Sequence, residues 1–454
     1  MAERADLVVI GMGPGGEEVA AACAEAGLNV VGVDRRLLGG ECPYFGCVPT
    51  KMMVRASDAL EEGRRIPKLG GAATVTPDWA PVARRIRDEA TDSWDDRVAV
   101  ERFEKKGGRF IRGSARLVGP RRVAVGDVEI EASRGVVLNT GTEPLVPPIE
   151  GLQGTPYWTN REAVQTERVP ESMVVLGGGA IGAELAQVFA RFGARVTVVE
   201  GMERLVAMEE PEAGDVLREV FEREGITVRT GVKAVSVEHG SNGFTLNLDS
   251  GEPARGEVLL VATGRRANLQ DVGLDTVGLD PQARTIGVDA RMRAGDGLWA
   301  VGDITGHGAF THVAMYQARI ATADILGTTG VTEAQYHALP RVTFTDPEIG
   351  AVGLTEKQAR EQGHDVRTAT QPMGVNARGW IHGPGNDGLF KMVADARSGT
   401  LVGATAMGPA GGEVLGFLSL AVHARVPVAV MRDMIYAYPT LHRGIESVLG
   451  ELGL

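Results

Sequence analysis

Apolar positions along this chain fall into short runs punctuated by glycine, and one arrangement of them occurs twice. Residues 7–10 form an apolar run that reads as a buried parallel strand. Gly11, Gly13, Pro14, Gly15 and Gly16 follow as a turn, then a helical stretch to about residue 26, ended by Gly27. A second apolar run, 30–33, closes on Asp34. Downstream, 173–176 predicts a strand, and Gly177, Gly179, Ala180, Ile181 and Gly182 a turn. Residues 183–192 predict a helix ended by Gly193, and 196–199 a strand closed by Glu200. The spacings agree: first to third glycine is 5 residues in both copies, third glycine to helix-ending glycine 11, and first glycine to acid 23.

A glycine-rich turn between a strand and a helix permits a tight bend and lets backbone approach a pyrophosphate. The helix N-terminus then faces the phosphates, and the acid at the next strand end accepts hydrogen bonds from a ribose. One such turn is a weak signal, but two in full strand–helix–strand context predict two Rossmann-type dinucleotide sites, suited to a flavin and a nicotinamide. Two further segments, Asn139-Thr-Gly-Thr-Glu-Pro144 and Ala262-Thr-Gly-Arg-Arg-Ala-Asn268, each follow an apolar strand (135–138 and 257–261) and read as crossings between domains. A strand at 298–301 ends in Gly302-Asp303. From about residue 340 the pattern changes to strands at 341–344, 350–354, 388–394 and 401–406, a hairpin turn at 397–399, and helices at about 411–424 and 442–452. The predicted class is α/β, two dinucleotide-binding domains followed by an α+β module. Residues 82–106 alternate in charge and predict one solvated amphipathic helix.

The length of 454 residues suits several domains, and the net charge of −12 argues against a nucleic-acid partner, which needs a basic face. The polar start and the lack of a long apolar run predict no signal peptide, no membrane span and a cytoplasmic location. Three cysteines argue against a structural disulfide framework. Cys23 falls in the helical stretch 19–25 and is expected to be buried.

The other two lie in Gly39-Gly-Glu-Cys42-Pro-Tyr-Phe-Gly-Cys47-Val-Pro-Thr-Lys51, which begins five residues past Asp34. Pro49 suits the first turn of a helix, placing Cys47 at a helix N-terminus where the dipole and free N–H groups favour a thiolate. Lys51 adds positive charge one turn on. A zinc half-site would want further Cys or His ligands at suitable spacing, and no second cluster is present in the sequence. An oxidisable pair and two buried thiols remain as readings, and the helix N-terminus and Lys51 favour the oxidisable pair.

The two glycine turns, the C-x4-C loop, the two Thr-Gly crossings, Gly302-Asp303 and Phe344-Thr-Asp-Pro-Glu348 together resemble the class I pyridine nucleotide–disulfide oxidoreductases, the group of dihydrolipoamide dehydrogenase, glutathione reductase and mercuric reductase. The resemblance spans essentially the whole chain. It implies that 1–148 and 269–334 bind FAD, 149–268 bind NADH or NADPH, and 335–454 form the interface of a homodimer whose active site is shared across subunits. It places Asp34 on the FAD ribose, Asp303 at the ribityl or pyrophosphate, and Ala309, Phe310, Thr311 and His312 under the flavin. Arg35, Gly40, Glu41, Ala115, Thr140 and Gly141 complete the implied flavin surface, and Gly264 belongs with the nicotinamide side. Cys47 is the implied flavin-side thiol and Cys42 the thiol that attacks a small-molecule acceptor. Lys51 is expected near flavin N5, paired with Glu184. Glu200 and Gly182 favour NADH over NADPH, although Arg204, four residues on, tempers this.

The chain departs from the family at its C-terminal motif. Disulfide-reducing members carry His-Pro-Thr-x-x-Glu, whose histidine, from the partner subunit, acts as acid and base. Here the segment reads Tyr438-Pro-Thr-Leu-His442-Arg443. Tyr438 stands for the histidine and Arg443 for the glutamate. A phenol titrates near 10 and an imidazole near 6.5, so Tyr438 can donate a proton but is a poor base. His442 lies four residues off the position. The chain also ends without the cysteine pair with which mercuric reductases deliver metal. These departures favour reduction of a small disulfide or related soft electrophile over dihydrolipoamide oxidation. A quinone, diaphorase-type or metal-ion reductase is the alternative.

Overall fold

A computed structural model describes residues 3–330 and 333–454. Met1, Ala2, Val331 and Thr332, which fall within the expected flavin segments, lie outside the described residues. The chain divides into two compact units: one of Met1–Pro49, Arg84–Leu145 and Arg265–Gln335, and one of Thr50–Ala83, Val146–Gly264 and Tyr336–Leu454.

The first unit is built on an eight-stranded sheet. Its central strand, Glu3–Ile10, pairs in parallel with Val30–Asp34 on one side and Val128–Leu138 on the other. Leu298–Ala300 and Arg109–Arg112 extend it in parallel at the two flanks. Leu7, Val8 and Val9 are fully buried, as a parallel strand covered on both faces requires. Helices Pro14–Glu25 and Thr311–Leu326 cover one face, and Cys23 is buried among them, as its sequence position predicts.

The second unit repeats this plan on a smaller scale. Ser172–Leu176 pairs in parallel with Arg195–Glu200 and Val258–Val261, and Thr227–Thr230 follows. A three-stranded antiparallel sheet, Ala234–Gly240, Gly243–Leu248 and Ala254–Gly256, joins it. The C-terminal part folds on a five-stranded antiparallel sheet with helices Gly411–His423 and Leu441–Glu451 packed on its core. Its edge strand Val366–Pro372 and the short helix Ala377–His382 are additional to the sequence-predicted elements.

The single helix predicted over 82–106 is instead broken. Ala80–Arg84 and Arg85–Ala90 end at Thr91, and Arg97–Lys105 begins anew after a turn in which Asp92, Ser93 and Trp94 have φ of 47°, 58° and 59°. The Thr91 hydroxyl donates to the Ile86 and Arg87 carbonyls, and Asp96 is drawn inward by the Leu38 amide at 2.6 Å and the Arg112 guanidinium. These side-chain bonds outcompete continuous helix. No helix among the described residues is long and apolar enough to cross a membrane.

Candidate functional site

The first glycine turn is tightly enclosed. Gly11 has φ of +92°, and a Cβ there would stand 2.2 Å from the Asn139 carbonyl oxygen. A Cβ on Gly16 would meet the Gly11 carbonyl at 2.0 Å, so only glycine allows helix Pro14–Glu25 to approach so closely. Gly13 caps that helix without a side-chain bond, leaving its N-terminal N–H groups for an anion. Asp34 accepts from the Met12 amide at 2.8 Å and the Arg36 amide at 2.7 Å. Burial raises its pKa above the usual carboxylate value, against these bonds.

A cavity of about 430 Å3 opens here, lined by Gly11, Asp34, Arg35, Ala115, Thr140 and Glu143 among others. The Thr140 hydroxyl is buried in the structure without a partner among the described residues. An orphaned hydroxyl beside a glycine cradle and a strand-end carboxylate is what the adenosine half of a dinucleotide would satisfy. Just past strand Leu298–Ala300, Asp303 accepts from the Thr142 hydroxyl at 2.6 Å, and the Gly302 amide donates to Gln317 Oε1 at 2.7 Å. Gly141 lies in the turn after strand Val128–Leu138, with φ of +64°.

The second turn has the same skeleton. A Cβ on Gly177 would stand 2.4 Å from the Ala262 carbonyl, and one on Gly182 would stand 1.9 Å from Gly177 O. Glu200 accepts from the Gly178 amide at 2.6 Å and the Met202 amide at 2.7 Å, as Asp34 does in the first copy. Gly179 is open, with nothing within 4 Å of where a Cβ would stand, and Ala180 and Ile181 are exposed. Gly264 lies in the turn after strand Val258–Val261, with φ of +127°. Arg204 donates instead to the Ala207 and Glu209 carbonyls, so the guanidinium expected to temper the Glu200 charge is engaged with backbone.

Cys42 lies in the short helix Glu41–Tyr44, capped by Gly40, and Cys47 is the first residue of helix Cys47–Arg65, with Pro49 in its first turn. Glu41 is ion-paired with Arg265 at 3.6 Å and Arg36 at 3.9 Å. Both cysteines are present as thiols and are hydrogen-bonded to each other. That bond, and then burial, holds the Cys42 thiol well above the ordinary range. Cys47 Sγ lies 3.5 Å from the Thr311 hydroxyl, at the start of helix Thr311–Leu326. Ala309 precedes that helix, Phe310 caps it, and the Phe310 and His312 rings stack at 5.1 Å.

In the second unit, Lys51 Nζ donates to Glu184 Oε2 at 2.6 Å, the pair the family resemblance implies. The other Glu184 oxygen accepts from the Phe344 amide at 2.8 Å, and Lys51 lies over the Phe344 ring at 4.7 Å. Seven residues along the same helix, buried Arg191 binds Asp58 at 2.8 Å, and Glu224 and Asp346 at 2.7 Å each.

Tyr438 is 73 % exposed. His442 packs edge-on against Phe417 at 5.7 Å, and Arg443 is ion-paired with Glu446 on its own helix. Asn139, Gln317, Phe344 and Arg191 escaped the sequence reading of the site. Only Asn139 and Phe344 carried a signal, since both open segments singled out for other reasons.

Residues 5–318 match the family described as pyridine nucleotide-disulphide oxidoreductase, and residues 339–448 match its dimerisation domain. The chain is 32% identical to dihydrolipoyl dehydrogenase of Thermus scotoductus, over 97% of this chain and 95% of that protein. It is 34% identical to mercuric reductase of Shigella flexneri, over 97% and 79%. The structure of LpdA from Mycobacterium tuberculosis superposes with a TM-score of 0.86 at 26% identity, covering 99% of this chain and all (100%) of that one. The flavoprotein disulfide reductase RclA from Escherichia coli shares the fold, with a TM-score of 0.84 at 24% identity over 98% and 99% of the two chains.

Proposed function

The chain belongs to the pyridine nucleotide-disulphide oxidoreductase family, whose members are FAD-dependent enzymes using NAD(P)H, and we propose that it cycles a Cys42–Cys47 disulfide to reduce a small disulfide or related soft electrophile. The observation that carries this reading is the hydrogen-bonded thiol pair, with Cys47 opening a helix beside the Thr311 hydroxyl. Bound FAD would supply the two-electron relay between nicotinamide and disulfide. The glycine cradle, Asp34, Thr140 and Asp303 would hold it. Lys51 would stand beside it, kept charged and oriented by Glu184, which the Phe344 amide fixes in turn. Cys47 serves as the electron inlet and Cys42 as the outlet.

NADH is the favoured donor. Glu200 places a carboxylate where a 2′-phosphate would sit, and Arg204 is turned to carbonyl oxygens rather than to that position.

The protein works as a homodimer through its C-terminal domain, with Tyr438 and Arg443 where disulfide-reducing relatives place a histidine and glutamate. A missing general base costs typically 10²–10⁴-fold in the direction that must deprotonate a dithiol. Dihydrolipoamide oxidation therefore suffers most, and acceptors whose product thiolate leaves easily suffer least. The test is an acceptor panel run with NADH on wild type, Cys42→Ser and Tyr438→His. Disulfide turnover vanishes in Cys42→Ser, and lipoamide activity rises in Tyr438→His. Full disulfide turnover in Cys42→Ser contradicts the reading, and quinone turnover that survives it unchanged identifies direct flavin transfer as a separate activity.

A further inference from the structure

A cavity of about 610 Å3 lies beside Cys42 in the first unit, a volume suited to a small organic molecule. Its walls are the first glycine-turn helix through Glu17 and Glu18, the cysteine loop through Cys42 and Tyr44, and the broken 80–105 segment through Glu89, Asp92 and Asp95. Thr311, the neighbour of Cys47, also lines it. Carboxylates alone would make no site. Here they line the same cavity as Cys42, the thiol proposed above to meet the acceptor.

The wall is firmly built. Trp94 Nε1 donates to the Tyr44 carbonyl at 3.1 Å, tying the segment that carries Asp92 and Asp95 to the cysteine loop. Asp96, beneath it, is held by the Leu38 amide and by Arg112.

The charge in this cavity is one-sided. Five carboxylates face two cations, Arg102 and Lys106. Both cations are already engaged, Arg102 with Glu17 at 2.6 Å and Lys106 with Glu25 at 3.4 Å. Glu18 and Asp92 make no ion pair among the described residues, whereas Glu89 meets Arg85 at 3.2 Å. The phenol of Tyr44 is pushed up to about 12 by burial and then by the charges of Asp96 and Glu17, which reports the same negative field.

We propose that this cavity receives the acceptor, and that the acceptor is a small organic disulfide bearing ammonium groups close to its sulfur atoms. The proposal rests on the dithiol reading above. The Cys42 thiolate attacks one sulfur of R–S–S–R, forming the Cys42–S–S–R bond and expelling RS⁻. Cys47 thiolate then attacks Cys42 sulfur, forming the Cys42–Cys47 disulfide and expelling the second RS⁻. Both thiolates take up protons, and one NADH supplies the two electrons that restore the dithiol. An ammonium group acts at two points. It offsets the wall carboxylates, of which Glu18 and Asp92 have no cation of their own among the described residues. It also lowers the pKa of the departing thiol, which then leaves readily without an acid–base histidine.

The experiment compares cystamine, which carries two ammonium groups, with 3,3′-dithiodipropionate, which carries two carboxylates, using NADH and the holoenzyme. The measured quantity is the ratio of the two kcat/KM values within one preparation, so flavin loading and folding cancel. The ratio favours cystamine by roughly tenfold or more at low salt, the scale of a single charge–charge contact. It shrinks as added salt shortens the screening length. In Glu18→Gln/Asp92→Asn it falls at least about threefold. Equal use of both disulfides, or a ratio unmoved in the double variant, overturns the charge assignment alone. Turnover of neither disulfide overturns the dithiol reading and this proposal with it.

Discussion

The two glycine turns of this chain share spacing, backbone conformation and the strand-end carboxylate, yet they are braced differently. At the first, the Asn139 side chain donates to the Gly11 carbonyl at 3.2 Å, and a Cβ on Gly15 would touch Asn139 and Ala314 at 3.0–3.2 Å. At the second, Ala262 stands in the place of Asn139, Gly179 faces open space, and Ile181 is exposed. Support there comes from behind, where Arg191 at the far end of the helix is buried among Asp58, Glu224 and Asp346. On the reading proposed above, one backbone code serves an enclosed flavin at the first turn and an exchanging nicotinamide cofactor at the second.

The sharpest break of this contrast is a pair of alanine substitutions. Gly16→Ala puts a methyl 2.0 Å from the Gly11 carbonyl, and the purified protein is expected to be colourless and to melt lower. Gly179→Ala adds a methyl where nothing stands within 4 Å, so flavin content and melting temperature hold while KM for NADH rises. Flavin loss in both, or an unmoved KM in the second, breaks the distinction.

Next in size is Arg191→Ala. It leaves three carboxylates without their shared cation, and breaking a buried pair costs about 3–5 kcal/mol. The 37% exposure of the Asp58 side chain places the expected loss at the low end. Thermal unfolding measures it, and reduction of flavin by NADH slows as Glu184 loses the support of its helix.

Asn139→Ala is milder. One side-chain bond to a part-buried carbonyl is worth about 1 kcal/mol, so the protein folds but releases flavin faster on dilution. A flavin off-rate equal to wild type would show that the amide brace is idle.

Much of this arrangement was legible in the sequence. Repeated spacing located both turns, Pro49 located the helix start beneath Cys47, and the family resemblance paired Lys51 with Glu184. What escaped depends on contacts between residues distant in the chain. The Asn139 brace joins positions 128 residues apart, and Asp96 reaches the Leu38 amide across 58. The Asp96 bond, with the local bonds of the Thr91 hydroxyl, breaks the 82–106 segment, whose charge pattern alone is that of a continuous helix. Strand Val366–Pro372 was missed because it is an edge strand, half polar and ending in proline, with little apolar pattern to betray it.

The smallest predicted effect concerns pH at the thiol pair. Cys42 is raised above an ordinary thiol by its bond to Cys47 and by burial, so its thiolate appears only at pH above the usual 8.5 or so. In NADH-reduced protein, iodoacetamide labelling of Cys42, followed by peptide mass spectrometry, should climb steeply past that value. A plateau already reached by pH 8 contradicts the assignment.

The central claim, that electrons pass through Cys47 to Cys42, is tested most directly by anaerobic titration with NADH while recording the visible spectrum. The account predicts a long-wavelength charge-transfer band at two electrons per FAD, absent in Cys47→Ser. Direct bleaching to fully reduced flavin in the wild type, with no such band at any point, would contradict it.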